Sequence, residues 1–263
     1  MKLTFLKSAM ALLLTGVCLT QTTRAATTTY SPGDIFLAFR APADGVTQSV
    51  LINVGQITQF TTGGPAFTVT NVGTDLTNTF GSFWTNGSAN LLWGASGITN
   101  NLPDDGSLTN GDLNRTLYAS KPTTPSGSVQ SAWLRNLEGT QNTAASRILT
   151  YSNAFNNKTV NTVAANGLIQ ANSATNSYNG QIGTGNSFNY FGAPKIEGNF
   201  AAGADGTALD FFRMQPGSGS GDYLGRFTIN SSGAVTFTPV PEPSAMVTLF
   251  ASLGLLSLRR RRK

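Results

Sequence analysis

Histidine is absent from this 263-residue sequence, and cysteine occurs once, at Cys18. Without histidine the chain lacks the commonest transition-metal ligand and the usual general base near neutral pH. Histidine-containing serine triads, histidine-ligated zinc centres and cysteine proteases are therefore excluded in their usual forms. Residues 26–263 hold no cysteine, so they cannot form a disulfide and depend on an ordinary hydrophobic core for stability.

Charged residues are also scarce, at 11% of the sequence, and their distribution decides what the net charge of +5 means. Residues 26–240 contain nine basic and eleven acidic residues, so the excess of positive charge lies at the two ends. The nine basic residues are spread singly along the chain. A nucleic-acid surface needs clustered cations facing the phosphates, so nucleic acid is excluded as a partner.

Residues 1–25 have the parts of a secretory signal peptide. They comprise a basic start with Lys7, an apolar run over residues 9–19, and Ala25 at the expected cleavage site. Cys18 lies inside the apolar run, which favours ordinary cleavage after Ala25 over lipid attachment. The sequence predicts an exported protein that engages the secretion translocon and signal peptidase.

Residues 240–263 combine a proline-rich strip, an apolar run and a basic cluster. Pro241, Glu242 and Pro243 form the strip, in which the prolines disfavour helix. Residues 244–258 carry no charge, and as a helix they would span about 22 Å of the ~30 Å hydrocarbon core. Five basic residues follow at once: Arg259, Arg260, Arg261, Arg262 and Lys263.

Such long cationic side chains reach the headgroups, and by the positive-inside rule they stay in the cytoplasm. We therefore predict a transmembrane helix over 244–258 that leaves the rest of the chain on the far side of the inner membrane. The alternative is a buried helix followed by a basic tail that binds nucleic acid.

The order of these three parts resembles the PEP-CTERM sorting signal of exported proteins of Gram-negative bacteria. That resemblance covers about a tenth of the chain, from Pro241 to Lys263. It implies recognition by an exosortase-type membrane protease, removal of the helix, and delivery of the remainder to the cell surface or the extracellular space. Residues 33–40, 51–55, 80–84 and 92–94 also resemble the bodies of other PEP-CTERM proteins, for which the resemblance implies no activity.

Residues 26–239 have the pattern of a mainly β body. Strand-like runs occur at residues 35–40, 49–54, 67–72, 90–93, 116–119, 209–214, 224–230 and 234–238. Several alternate apolar and polar positions, and residues 230–233 between the last two runs have the composition of a hairpin turn. We predict an antiparallel, β-sandwich-like domain.

The middle of the chain has helical rather than strand periodicity. Residues 129–157 carry apolar residues at helical spacing, interrupted near Gly139 and Thr140. The pattern predicts two short helices, with long loops and short strands over residues 158–206.

Three groups of residues could carry a function in the body. Asp104, Asp105 and Asp112 form an acidic cluster, but their spacing does not fit an EF-hand, which favours a turn over a calcium site. The carboxylates Asp34, Asp210 and Glu197 are candidates for a glycosidase pair, although nothing in the sequence links them. Six aromatic residues could stack on sugar rings or fill the core: Phe83, Trp84, Trp93, Trp133, Tyr190 and Phe191.

Two classes of function follow. In the first, the body is a structural or adhesive surface module that associates with extracellular polysaccharide, needs no cofactor or metal, and is not an enzyme. In the second, it is a carbohydrate-binding module or a glycoside hydrolase acting on that polysaccharide. A deep cleft with two carboxylates about 5–10 Å apart would favour a hydrolase.

Overall fold

The computed structural model describes residues 26–61, 63–100, 112–183, 185–192 and 195–240. The predicted signal peptide, the sorting signal and residues 101–111 of the acidic cluster lie outside these ranges. Within them, no helix is both long enough and apolar enough to cross a membrane.

The described residues form a single ten-stranded sheet in which all neighbouring strands are antiparallel. The strands are β1 (Asp34–Arg40), β2 (Gln48–Gln56), β3 (Phe67–Asn71), β4 (Leu92–Ile98), β5 (Leu117–Pro122), β6 (Gly167–Ala171), β7 (Gly198–Asn199), β8 (Leu209–Met214), β9 (Asp222–Ile229) and β10 (Ala234–Pro239). Their order is β3-β10-β9-β8-β5-β4-β1-β2-β6, with β7 paired to one end of β4.

The sheet curls into a half-barrel, as contacts of Phe60 demonstrate. Phe60 follows β2, and its ring centroid lies 5.1 Å from that of Phe237 in β10. Six strand spacings separate β2 from β10, or about 29 Å in a flat sheet. The ring contact therefore requires strong curvature.

The mainly antiparallel β class is confirmed, but the sandwich was wrong in detail. A sandwich needs two facing sheets, whereas the described strands belong to one curled sheet. Alternating apolar residues signal a buried face in both arrangements, so periodicity alone does not separate them. Strand β1 is buried along its whole length, as its continuous apolar run over residues 35–39 indicates.

Two hydrophobic clusters cover the two faces of this sheet. The inner face, inside the curl, carries Phe39, Ile52, Trp93, Phe211 and Phe237 among others. The outer face carries Phe36, Leu51, Ala119 and Phe212 and is covered by helical and loop residues. Neighbouring strand residues thus belong to different cores.

Four α-helices accompany the sheet: α1 (Gly73–Phe80), α2 (Ser82–Thr85), α3 (Glu138–Phe155) and α4 (Tyr178–Ile182). Helix α3 packs on the outer face through Ala145, Ile148 and Tyr151. The second predicted helix is confirmed as α3, which begins at Glu138, beside the predicted interruption at Gly139, and continues for 18 residues. The predicted first helix is instead an extended segment, with Leu134 bridged to Ser220.

Each predicted strand run overlaps an observed strand. The run over 209–214 coincides with β8, whereas the run over 90–93 covers only the start of β4. The predicted hairpin turn is present: Gly233 adopts φ 81°, and its N–H donates to the carbonyl of Asn230 at 2.8 Å. Strand β4 continues through small residues of low strand propensity, which explains why its length was missed.

Candidate functional site

The predicted processing residues lie outside the described ranges. They are Ala25, Pro241, Glu242, Pro243, Arg259, Arg260, Arg261, Arg262 and Lys263. The last described residue, Val240, follows β10, and its N–H donates to the carbonyl of Leu224 at 3.1 Å. The chain therefore continues into the predicted sorting signal from a fixed point on the protein surface.

Glu197 is a buried partner of Arg40. Its two carboxylate oxygens accept from Nε and Nη2 of Arg40 at 2.9 and 2.8 Å, and Oε1 also accepts from the Tyr178 hydroxyl at 2.9 Å. Burial, reinforced by the nearby Glu197 charge, raises the pKa of Tyr178 well above its usual value. Asn179 also accepts from Arg40, so this carboxylate belongs to a satisfied structural network.

Asp210 and Asp34 are likewise held by neighbours. Asp210 is fully buried and accepts from Arg226 Nε at 2.9 Å and from the Gln130 N–H at 2.8 Å. Asp34, at the start of β1, accepts from the Ser31 N–H at 2.8 Å. Arg40 ends the same strand six residues on, so Asp34 lies about 20 Å along it from the Glu197 network. This separation exceeds the spacing of a glycosidase pair.

Asp112 is the described member of the acidic cluster, and it too is buried. Its Oδ1 accepts from Arg213 Nη1 at 3.0 Å and from Gln215 Nε2 at 2.8 Å, while Oδ2 accepts from the Tyr118 hydroxyl at 2.6 Å. Among the residues that the structure describes, no three Asp, Glu, His or Cys side chains are grouped to share a metal ion.

The six predicted aromatic residues divide into two groups. Trp84 and Trp93 are buried in the inner core, and Phe83 packs against it. Trp133, Tyr190 and Phe191 come together on the outer face, with ring centroids 5.0 Å apart for Trp133 and Phe191 and 4.8 Å apart for Tyr190 and Phe191. Trp133 thus joins the adjacent residues Tyr190 and Phe191, more than 50 positions further along the chain, in one aromatic group.

This group lines a cleft of about 330 Å³, which we call the aromatic cleft. Its lining residues are Lys121, Ala132, Trp133, Leu134, Asn136, Tyr190, Phe191 and Gly192. Asn136 Nδ2 donates to the Tyr190 hydroxyl at 2.7 Å, which leaves the hydroxyl proton available for donation. Trp133 and Phe191 are buried core residues, at 7% and 4% exposure, so among the three rings only that of half-buried Tyr190 is open to a ligand, next to hydrogen-bonding groups of the kind found in sugar sites.

Lys121 supplies the positive charge of the aromatic cleft. Its Nζ lies 4.2 Å from the ring centroid of Trp133 and donates to the carbonyl of Ser131 at 2.8 Å. Burial lowers the pKa of Lys121, an effect opposed by the negative charge of Asp210. The ammonium has three protons, so it can still donate to an oxygen-bearing ligand.

A second, more open cleft of about 530 Å³ lies where the described chain ends. It is lined by Gly127, Ser128, Val129, Tyr223, Arg226, Thr238, Pro239 and Val240. We call it the exit cleft, because Val240 is the last residue before Pro241. Segment 127–129 meets the end of β10 there, although these parts are distant in sequence.

Sequence reasoning missed Lys121 and Asn136 as cleft residues. Lys121 follows Leu117 and Ala119 on the outer face of β5, so a charge at a core-facing position was the available signal. Asn136 had no such signal, because its segment was predicted to be helical.

No protein-family model matches this chain, and searches of curated proteins and of solved structures returned no match either.

Proposed function

We propose that this is an exported protein of the cell surface or extracellular matrix, sorted through residues 240–263, with a structural or adhesive body that performs no chemistry. Its partners along that route are the secretion translocon, signal peptidase, an exosortase-type protease and, transiently, the inner membrane. The observation that carries the proposal is the succession of Pro241-Glu242-Pro243, an uncharged run and a basic cluster. The surface position of Val240 supports it, because a protease could reach the strip beyond.

The proposed absence of chemistry is supported by the carboxylates. Asp34, Asp210 and Glu197 each accept several hydrogen bonds from the protein itself. A carboxylate that is saturated in this way has little capacity left for general-acid or nucleophilic work. A polysaccharide-hydrolysis assay on the purified mature protein tests this point, and turnover would refute it.

Mass spectrometry of the mature protein tests the sorting proposal. In a host with its own exosortase, the wild-type chain should end close to Pro243. Replacing Pro241, Glu242 and Pro243 together by Ala should leave an uncleaved protein in the inner membrane, because the apolar helix can then extend through the strip. Replacing the five basic residues by Ser should also block processing, because the topology is no longer fixed.

A surface protein that still carries Lys263 would show that the tail is an anchor and not a processed signal. Failure of the wild-type chain to leave the cytoplasm would contradict the export proposal itself.

A second candidate function is carbohydrate binding at the aromatic cleft, favoured by the half-buried ring of Tyr190 beside Asn136 and Lys121. The ligand would be a segment of extracellular polysaccharide. A glycan array probed with the mature protein tests it, and Tyr190→Ala should abolish any signal. Phe83→Ala is the matched control, since Phe83 is also half-buried but packs against the inner core. An equal loss in both variants would assign the effect to folding.

A further inference from the structure

Exposed apolar side chains are concentrated on one extended segment of the outer face. Val129, Leu134 and Leu137 are 48%, 67% and 74% exposed. Among the described large hydrophobic residues, the others that are exposed are Val163 and Val240. Grouped exposed apolar side chains mark contacts with proteins or membranes more often than singly scattered ones do.

The backbone of this segment is fixed, so the exposure is built into the fold. The Gln130 N–H donates to Asp210 at 2.8 Å, the Trp133 carbonyl accepts from Gly221 at 2.7 Å, and the Arg135 N–H donates to Gly219 at 2.9 Å. In the same segment, the side chain of Trp133 is buried, whereas that of its neighbour Leu134 is exposed. We call Val129, Leu134 and Leu137 the apolar ridge.

One end of the apolar ridge lies where the chain continues toward its tail. Val129 and Val240 line the same exit cleft, and Val240 is 38% exposed. The uncharged run begins at Ser244, four residues beyond Val240, which limits the separation of these two residues to about 14 Å. A membrane-inserted tail would therefore hold the exit cleft against the headgroups.

We propose that the apolar ridge docks on the phospholipid surface into which residues 244–258 are inserted. The inference rests on the proposed insertion of this tail. Arg135, beside Leu134, carries a positive charge that attracts anionic phospholipids, while its guanidinium donates to the carbonyls of Gln215 and Pro216 at 2.9 and 3.2 Å. Because the tail already anchors the chain, docking is intramolecular, and a small apolar contact is sufficient.

Docking of the apolar ridge gives the body a defined orientation before processing. It holds Val240 at the membrane surface and so keeps Pro241, Glu242 and Pro243 close to that surface. If the body contacted the membrane only through its tail, the height and direction of this strip relative to the membrane would vary. The apolar ridge therefore helps to present this strip to the processing protease.

Depth-dependent fluorescence quenching tests the proposal on the uncleaved chain, residues 26–263, reconstituted into phosphatidylcholine–phosphatidylglycerol vesicles. These residues contain no cysteine, so Leu134→Cys gives a single labelling site for an environment-sensitive dye. Val163→Cys is the matched control, because Val163 is 71% exposed but lies on the loop between α3 and β6. Lipids with a nitroxide near the headgroup should quench the dye at 134 at least threefold more than at 163.

Equal quenching at 134 and 163 in chains that float with the vesicles would overturn the docking proposal and leave tail insertion standing. Chains that do not float would refute tail insertion, and docking with it. Efficient disulfide cross-linking of unlabelled Leu134→Cys chains by an added copper oxidant, without lipid quenching of the labelled chains, would assign the ridge to a second copy of the chain and also overturn the proposal.

A further variant separates docking from folding. Leu134→Ser with Leu137→Ser, labelled through Val129→Cys, should lose at least half of the quenching at 129. Both leucines are more than two-thirds exposed, so the thermal unfolding temperature should not change. Unchanged quenching at 129 would contradict a role for the ridge.

Discussion

The two faces of the sheet are stabilised by different means. The inner face is packed with aromatic rings: Phe237 has its centroid 4.7 Å from that of Phe227 and 5.1 Å from that of Phe60. On the outer face, apolar side chains share the buried layer with the ion pairs Arg40–Glu197 and Asp210–Arg226.

This difference follows from what each face has to hold in place. The inner face relies mainly on dense apolar packing, and two buried carboxylates contact the same core: Asp112 accepts from Tyr118, and Asp75 accepts from the N–H groups of Val163 and Ala164. The outer face must position loops that are poor in apolar residues, including the segment that carries Glu197. A buried ion pair contributes little net stability, but breaking it is costly, so it can fix where such a segment lies. We infer that the inner face supplies most of the stability and the outer face most of the positional specificity.

The largest expected effect is from Phe237→Ala on the inner face. It should lower the free energy of unfolding by about 4–5 kcal/mol, the upper part of the usual range, because several rings lose contacts around one cavity. Denaturant unfolding of the mature protein measures this change. Thr236→Ala, at the neighbouring position on the opposite face, should cost under about 1 kcal/mol. Similar losses for both variants would contradict a dominant inner core.

Arg40→Met on the outer face should lower the unfolding free energy by about 3–4 kcal/mol, because Glu197 then stays buried without its counter-charge. Adding Glu197→Leu should restore more than half of the loss, since the unpaired charge is removed. A double-mutant cycle by denaturant unfolding measures this coupling. If the double variant is less stable than the Arg40→Met variant, the Arg40–Glu197 ion pair itself stabilises the fold and does not only fix where the Glu197 segment lies.

Gly94→Ala should lower the unfolding free energy by about 1–2 kcal/mol. An added Cβ would lie 3.2 Å from Glu197 Cγ and 3.3 Å from the Tyr178 hydroxyl oxygen, so the network above β4 would have to shift. Gly139→Ala in α3 is the matched control, because its Cβ would meet no atom within 4 Å. That control should be neutral or slightly stabilising, and a loss as large as that of Gly94→Ala would refute the steric argument.

The smallest effect concerns alkaline pH. Burial raises the pKa of Tyr151 and Tyr178 on the outer face, so both stay protonated when folded but ionise near pH 10 when unfolded. Their contribution is fully present below about pH 10 and is lost as the pH rises from there toward the folded pKa values. Between pH 9 and 10.5 we expect a loss of under about 1 kcal/mol per tyrosine, measured by urea unfolding at each pH.

Tyr151→Phe should make that pH dependence shallower, since one of the ionisable groups is removed. A slope unchanged in this variant would show that the alkaline loss arises elsewhere.

Several features of this protein were predictable from local sequence alone. The alternation in β2, β9 and β10 identified strands and the faces to which Val50, Phe227 and Val235 belong. The hairpin at Asn230 was also predictable, because turn chemistry depends on adjacent residues. The candidate site was only partly predictable: three of its aromatic residues were named, but not that they would meet.

Sequence by itself determined the β class and the absence of histidine and disulfide chemistry, and it is the source of the predicted sorting route, because each depends on composition or on neighbouring residues. Tertiary structure decided that the strands form one curled sheet, since its curvature depends on contacts such as Phe60 with Phe237 across six strand spacings. It also decided that Glu197 pairs with Arg40, 157 positions away, and that Trp133 meets Phe191. Such long-range pairings depend on the path of the whole chain, which no local pattern encodes.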